Sequence, residues 1–152
     1  MAKRFALVGN ATNSPSATLP LATLISTTGI RPEIHDIEMG ADGTPADNPV
    51  KYALQRCTTT GTPGSSVTPM SLDPNDPAAG TTSGLAVFSV GPTLTASAFV
   101  LQWAQNMRQA FRWACKDGWG LKMPATASNG LALLSLTSPT PFNAVWTIAF
   151  EE

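Results

Sequence analysis

Apolar and polar residues alternate along most of this chain with a period of two. In 50-VKYALQRCT-58, Val50, Tyr52 and Leu54 fall on one side and Lys51, Ala53 and Gln55 on the other, which predicts a strand with one buried face. Near the C-terminus, Trp146, Ile148 and Phe150 alternate with Val145, Thr147 and Ala149. Both sides of that strand are largely apolar, which places it centrally in a sheet or against a neighbouring subunit. Segment 33-EIHDIEMG-40 alternates as well, with His35, Ile37 and Met39 on one face and Ile34, Asp36 and Glu38 on the other. Segments 3-KRFALVG-9, 21-LATLIST-27, 85-LAVFSV-90 and 131-LALLSL-136 are short apolar runs bounded by turn formers, and read as strands.

The stretch 98-AFVLQWAQNMRQAFRWACK-116 supports two periods. As a helix it lines up Phe99, Trp103, Met107 and Phe111 at intervals of four, with Arg108, Arg112 and Lys116 as a basic stripe beside them. As strands it puts Phe99, Leu101, Trp103, Phe111, Trp113 and Cys115 on one parity and leaves 105-QNMRQ-109 as a polar break. The helix leaves Leu101 and Trp113 poorly placed, and the rest of the chain reads as β. Two strands, 97–104 and 109–116, are therefore expected, with the aromatics inward.

Turn formers separate these runs. Segments 10-NATNSPSATLP-20 and 41-ADGTPADNP-49 are polar and turn-rich, and 116-KDGWG-120 carries the Asp-Gly hairpin signal. Segment 61–84 holds Pro63, Pro69, Pro74 and Pro77, which rules out a regular helix or a central strand. A loop of that length in a compact domain tends to serve a function or to contact a partner. Eight to ten short strands at fairly regular spacing predict an all-β chain. The expected architecture is an antiparallel β-sandwich, jelly-roll-like, forming a single domain over 1–152 with an extended Pro-rich loop at 61–84.

Composition narrows the function. Charged residues make up only 12% of the chain while hydrophobic residues reach 43%, so the surface is Thr, Ser and Gln rather than Lys and Glu. A net charge of −1 gives no argument for nucleic acid, and no polybasic run argues for a membrane surface. No apolar run approaches the length needed to span a bilayer, and the start, MAKRFALV, lacks the pattern of a signal peptide. The expectation is a soluble protein made in a cytoplasm. Cys57 and Cys115 are then expected to be reduced thiols packed as small apolar residues.

No catalytic, metal or cofactor signature emerges. His35 and Asp36 should point to opposite faces of their strand, which leaves His35 as a half-buried strand histidine. Asp73 and Asp76, in 72-LDPNDP-77, read as Asx turns rather than an acid–base pair or a calcium loop. No GxSxG surrounds a serine, and 61-GTPG-64 lacks the Lys-Ser/Thr of a phosphate loop. What remains is surface. Arg108, Arg112 and Lys116 share a parity and read either as a solvated face or as a docking patch for an acidic protein. Of the four tryptophans, Trp103 and Trp113 belong to the apolar parity, whereas Trp119, between Gly118 and Gly120, is expected at an exposed turn.

Several segments together look like a known type of protein. The start MAKRF, 44-TPADNPVKYALQRCTTTGT-62, 69-PMSLDPNDPAA-79, 91-GPTLTASAFVLQWAQNMRQAFRWA-114, 124-PATASNGLAL-133 and the closing Phe150-Glu151-Glu152 resemble the capsid decoration, or cement, proteins of tailed bacteriophages. The resemblance implies a β-sandwich or jelly-roll-like subunit on the outside of an icosahedral shell, made in the host bacterial cytoplasm. Its partner would be the major capsid protein, and it would form a homo-oligomer, commonly a trimer. It assigns no residue to the contact and implies no enzyme activity or cofactor. Candidate interface residues from the chain itself are Arg108, Arg112, Lys116, Trp119, Pro69, Pro74 and Pro77. The alternative is a tail or head-fibre component with a carbohydrate-binding face centred on exposed tryptophan.

Overall fold

The computed structural model describes residues 2–116, 118–138 and 140–152. It contains eleven strands and, among the described residues, no helix. They are β1 (Arg4–Asn13), β2 (Ala22–Ile25), β3 (Glu33–Asp42), β4 (Pro49–Cys57), β5 (Met70–Ser71), β6 (Thr82–Leu85), β7 (Leu94–Asn106), β8 (Phe111–Ala114), β9 (Leu121–Lys122), β10 (Gly130–Thr137) and β11 (Phe142–Glu151). One sheet runs β5-β1-β11-β3-β8, with β9 also on β3; the other runs β6-β2-β10-β4-β7. Every ladder is antiparallel.

The topology follows from one operation. With β5 and β6 set aside, the chain pairs from its ends inward: β1 with β11, β2 with β10, β3 with β8 and β9, β4 with β7. Successive pairs fall in alternate sheets. That is a single long antiparallel hairpin rolled into two layers, a jelly roll. The all-β sandwich read from the alternation is thus what the chain forms.

The period-two pattern supplies the core. Phe5, Leu7 and Ala11 of β1 and Ala144, Trp146, Ile148 and Phe150 of β11 face inward, against Val50, Tyr52 and Leu54 of β4 and Leu131 and Leu133 of β10. Gly9 shares the inward parity of β1 and lies directly across from Trp146. A Cβ there would sit 2.7–2.9 Å from three atoms of the indole, so the missing side chain is what lets the largest buried residue fill the core. Tyr52, Trp103 and Phe111 stack in series, with centroids 5.4 and 4.6 Å apart, and join β4 and β7 of one sheet to β8 of the other.

Several expectations need correction. The apolar run 85–90 is not a strand. The strand is Thr82–Leu85, all but Leu85 of it within the segment 61–84 expected to be loop; the chain then breaks at Ala86 and Val87, both with positive φ. Segment 61–84 is not a free loop either. It adds a short strand to the edge of each sheet and is pinned further by bridges Thr62–Val90 and Ser65–Leu85. Strand β1 continues to Asn13, into the segment read as turn.

In β3, Ile34 and Ile37 are both fully buried, which a regular strand cannot achieve at that spacing. The ladder to β11 slips between Ala149, paired with Asp36, and Phe150, paired with Ile34. His35 is the extra residue of this bulge, so the predicted opposition of His35 and Asp36 fails. A second bulge, at Val100 of β7, turns Phe99 out to 42% exposure and breaks the inward row. Met107, in the expected polar break, is buried.

The expected Asp-Gly hairpin is also absent as such. Both β8 and β9 pair with β3, Ala114 with Asp36 and Leu121 with Ile34, so they are one edge strand interrupted by an outward excursion. Gly118 takes φ +79° there, and Trp119 N–H donates to the Lys116 carbonyl at 2.9 Å. Asp117 lies outside the described residues.

Candidate functional site

The most irregular part of the molecule is the connection between β4 and β7, residues 58–93, at the closed end of the rolled hairpin. Its prolines and polar residues prevent long strands, so it is held by other means. Leu72 N–H donates to the Arg4 carbonyl at 2.9 Å, and the Glu152 carboxylate accepts from Gly80 N–H at 3.0 Å and Thr81 N–H at 2.7 Å. Ser83 donates to the Val67 carbonyl in a short hydrogen bond. Asp73 accepts from Asn75 N–H at 2.9 Å, the Asx turn expected of 72-LDPNDP-77.

This pinned segment presents apolar side chains to solvent. Of nine exposed large hydrophobic residues among the described ones, five belong to it: Val67, Met70, Leu72, Val87 and Val90. Val87 is 82% exposed at φ 22°, a conformation a β-branched residue rarely adopts, so local strain accompanies the exposure. Trp119, on the β8–β9 excursion, is 76% exposed as expected. Its neighbour Gly118 and Leu72 line the same cavity, so the two excursions meet.

The predicted interface residues divide. Pro74 and Pro77 are exposed, but Pro69 is buried within the chain and is not available to a partner. Arg108, Arg112 and Lys116 do not form a row, because Arg108 lies in the β7–β8 turn, Arg112 on β8 and Lys116 at the start of the excursion. Arg108 donates through Nε to the Pro45 carbonyl at 3.1 Å. Arg112 is committed to β3: its Nη2 lies 2.5 Å from Asp36 Oδ2 and its Nε 3.3 Å from Glu38 Oε1. The hydrogen bond to Asp36, and then the charges of Asp36 and Glu38, push the guanidinium pKa above its ordinary value. A charge so compensated attracts an acidic surface weakly. Trp103 and Trp113 are half-buried against the core.

A second arrangement had no signal in the sequence. The bulge in β3 turns His35 toward Cys115 and Glu151. Its Nδ1 lies 3.4 Å from Cys115 Sγ, and its Nε2 lies 3.2 Å from Glu151 Oε1. Cys115 was expected in the core; it is instead half-buried against this histidine. Cys57 behaves as expected, buried, with its thiol pushed up to about 11 by desolvation. Among the described residues no group of His, Cys, Asp and Glu is arranged to hold a metal ion. Among the described residues no helix is long and apolar enough to cross a membrane.

No family model matches the chain, and no curated protein or solved structure matches it. The functional reading therefore rests on the residues and their placement.

Proposed function

We propose that this chain is a structural virion protein that decorates a bacteriophage capsid and stabilises it by bridging neighbouring capsid subunits. The observation that carries the reading is the β4–β7 connection, which offers Val67, Met70, Leu72, Val87 and Val90 to solvent while tied to both sheets. Apolar groups on a pinned segment bind without a large ordering cost. Burying one such side chain is worth about 1.5–3 kcal/mol, and association costs about 4–15 kcal/mol, so one copy holds a shell weakly. A homo-oligomer, a trimer in this proposal, multiplies the contact and supplies the avidity. The segment resemblance to decoration proteins points the same way.

The test is direct. Shells lacking the protein are mixed with purified chain, and binding and the shell melting temperature are measured. Binding with a raised melting temperature is expected, weakened by Leu72→Ser and Val87→Ser together. A chain that neither binds shells nor stabilises them overturns the proposal. The exposure of Trp119 supports a second reading, a tail or head-fibre component that stacks this ring on a receptor sugar. Glycan-array binding lost in Trp119→Ala would select it, and a blank array would dismiss it.

A further inference from the structure

Cys115 follows β8, His35 sits at the bulge of β3, and Glu151 ends β11, so three adjacent chain segments of the larger sheet each contribute one group. The order is sulfur, imidazole, carboxylate, with the sulfur 3.4 Å from Nδ1 and the carboxylate 3.2 Å from Nε2. Glu151 Oε1 is within ion-pair distance of Nε2 but makes no hydrogen bond to it; its charge still favours the tautomer with hydrogen at Nε2, which leaves Nδ1 to accept the thiol proton. The two ring nitrogens face different partners, so sulfur, nitrogen and oxygen do not converge on one cation.

These groups line a cavity of about 400 Å³ together with Arg4, Leu72 and Gly118, a size suited to a small molecule. Arg4 and Glu151 are cross-strand partners in the β1–β11 ladder, the natural place for an ion pair. Glu151 turns to His35 instead, and Arg4 makes no ion pair among the described residues. An exposed guanidinium without an ion pair, lining the same cavity as the thiol, favours an anionic ligand.

The geometry points to a reactive-thiol site at which Cys115, assisted by His35 and Glu151, undergoes thiol–disulfide exchange with small anionic disulfides held by Arg4. The thiol proton moves to His35 Nδ1. The thiolate attacks one sulfur of the incoming disulfide, a Cys115–sulfur bond forms, and the disulfide's own S–S bond breaks. The electron pair leaves on the departing thiolate, which takes the proton from His35. The disulfide is the oxidant, and the products are a mixed disulfide on Cys115 and one small thiol. Among the described residues, the charged groups around the pair are Glu151 on β11, Arg4 on β1, Lys116 next in the chain, Asp73 and Asp76, which line a neighbouring pocket with Arg4 and Leu72, and the ion pairs Glu33–Lys122 and Asp36–Arg112 along β3 and its edge strand. This site is independent of the capsid reading.

The experiment treats the intact chain with oxidised glutathione, which is anionic, and with bis(2-hydroxyethyl) disulfide, which is uncharged, and maps adducts by mass spectrometry. Cys57, 2% exposed, is the internal control and stays unmodified. At about pH 6, Cys115 is expected to react at least about tenfold faster than N-acetylcysteine, and His35→Gln is expected to remove that advantage. Arg4→Gln lowers the rate with oxidised glutathione about fivefold and leaves the uncharged disulfide unaffected. Circular dichroism checks folding. If His35→Gln is unfolded, Glu151→Gln is read in its place, with at least about a threefold loss at about pH 6 expected. A rate no higher than that of N-acetylcysteine, or an advantage that survives the variant, overturns the site. An Arg4→Gln effect equal for both disulfides, or absent, overturns the anionic preference.

Discussion

Gly9→Ala is a one-carbon change whose cost can be worked from the core. The added Cβ would lie 2.7, 2.8 and 2.9 Å from Cζ2, Cε2 and Nε1 of Trp146. Carbon–carbon contacts settle near 3.5–4.0 Å, so the ring or the β1–β11 ladder must move by most of an ångström. The indole is 1% exposed and hemmed in by the core, and a rigid ring cannot yield at one end as a Met would. Overpacking of this kind costs about 1–3 kcal/mol, against about 0.4–1 kcal/mol returned by stiffening the unfolded chain. The net is a loss of about 1–2 kcal/mol, or about 3–6 °C in melting temperature for a chain of this length. Gly40→Ala on β3 is the control: nothing lies within 4 Å of its Cβ position, and the change should be neutral. Trp146 Nε1 has no hydrogen-bond partner among the described residues, so Trp146→Phe costs mainly volume. Gly9→Ala should therefore be milder in a Trp146→Phe background, giving a coupling of about 1 kcal/mol. Urea midpoints of the four chains measure it. A Gly9→Ala midpoint at or above wild type, or strict additivity with Trp146→Phe, refutes the packing argument.

Three more outcomes follow from the structure. Cys57 keeps its proton in the folded chain up to about pH 11, while the unfolded thiol loses it near 9, so between those values the folded state holds the extra proton and stability falls as pH rises. The loss approaches about 2–3 kcal/mol, with Tyr52, raised in the same sense by burial, adding to it at higher pH; urea midpoints across pH 8–11 should fall less steeply in Cys57→Ala. Arg112→Met should leave the urea midpoint close to wild type, because its side chain is 64% exposed and solvent screens the pair; a clear drop in midpoint would mean a structural role beyond the ion pair. Glu152→Gln should weaken the anchor on Gly80 and Thr81, seen as faster hydrogen exchange at those two amides with core amides unchanged.

The rolled hairpin was legible because several of its strands, such as β1 and β11, have one buried face, whereas β2 and most of β10 are buried on both. Val50, Tyr52 and Leu54, or Trp146, Ile148 and Phe150, declare themselves by period alone. The bulges were less legible, yet one left a trace: Ile34 and Ile37 cannot both be buried from one face unless a residue is added between them. Strands β5 and β6, of two and four residues, are too short to carry a period and are made by the ladders they join. Gly118 takes a positive φ where the chain leaves the strand, but whether it folds back or returns to the same edge is decided by β3. Cys115 and His35 stand 80 residues apart, and no local pattern announces their meeting.

Three of the departures from the expected regular strands lie together. The bulge that carries His35, the excursion that carries Gly118 and Trp119, and the connection that carries Leu72 are three separate departures from regular pairing, and His35, Gly118 and Leu72 line one cavity. Regular jelly-roll strands would have kept these groups apart: without the bulge His35 would hold the opposite parity, and without the excursion β8 would run straight into β9. Each departure weakens local pairing, so their convergence at one place is better explained by use than by chance. The same spot joins the apolar segment proposed to meet a capsid to the thiol proposed to meet a disulfide. A mixed disulfide on Cys115 would place a charged adduct beside Leu72. If both proposals hold, glutathione treatment should weaken binding to shells, and Cys115→Ser should abolish that sensitivity while leaving binding intact.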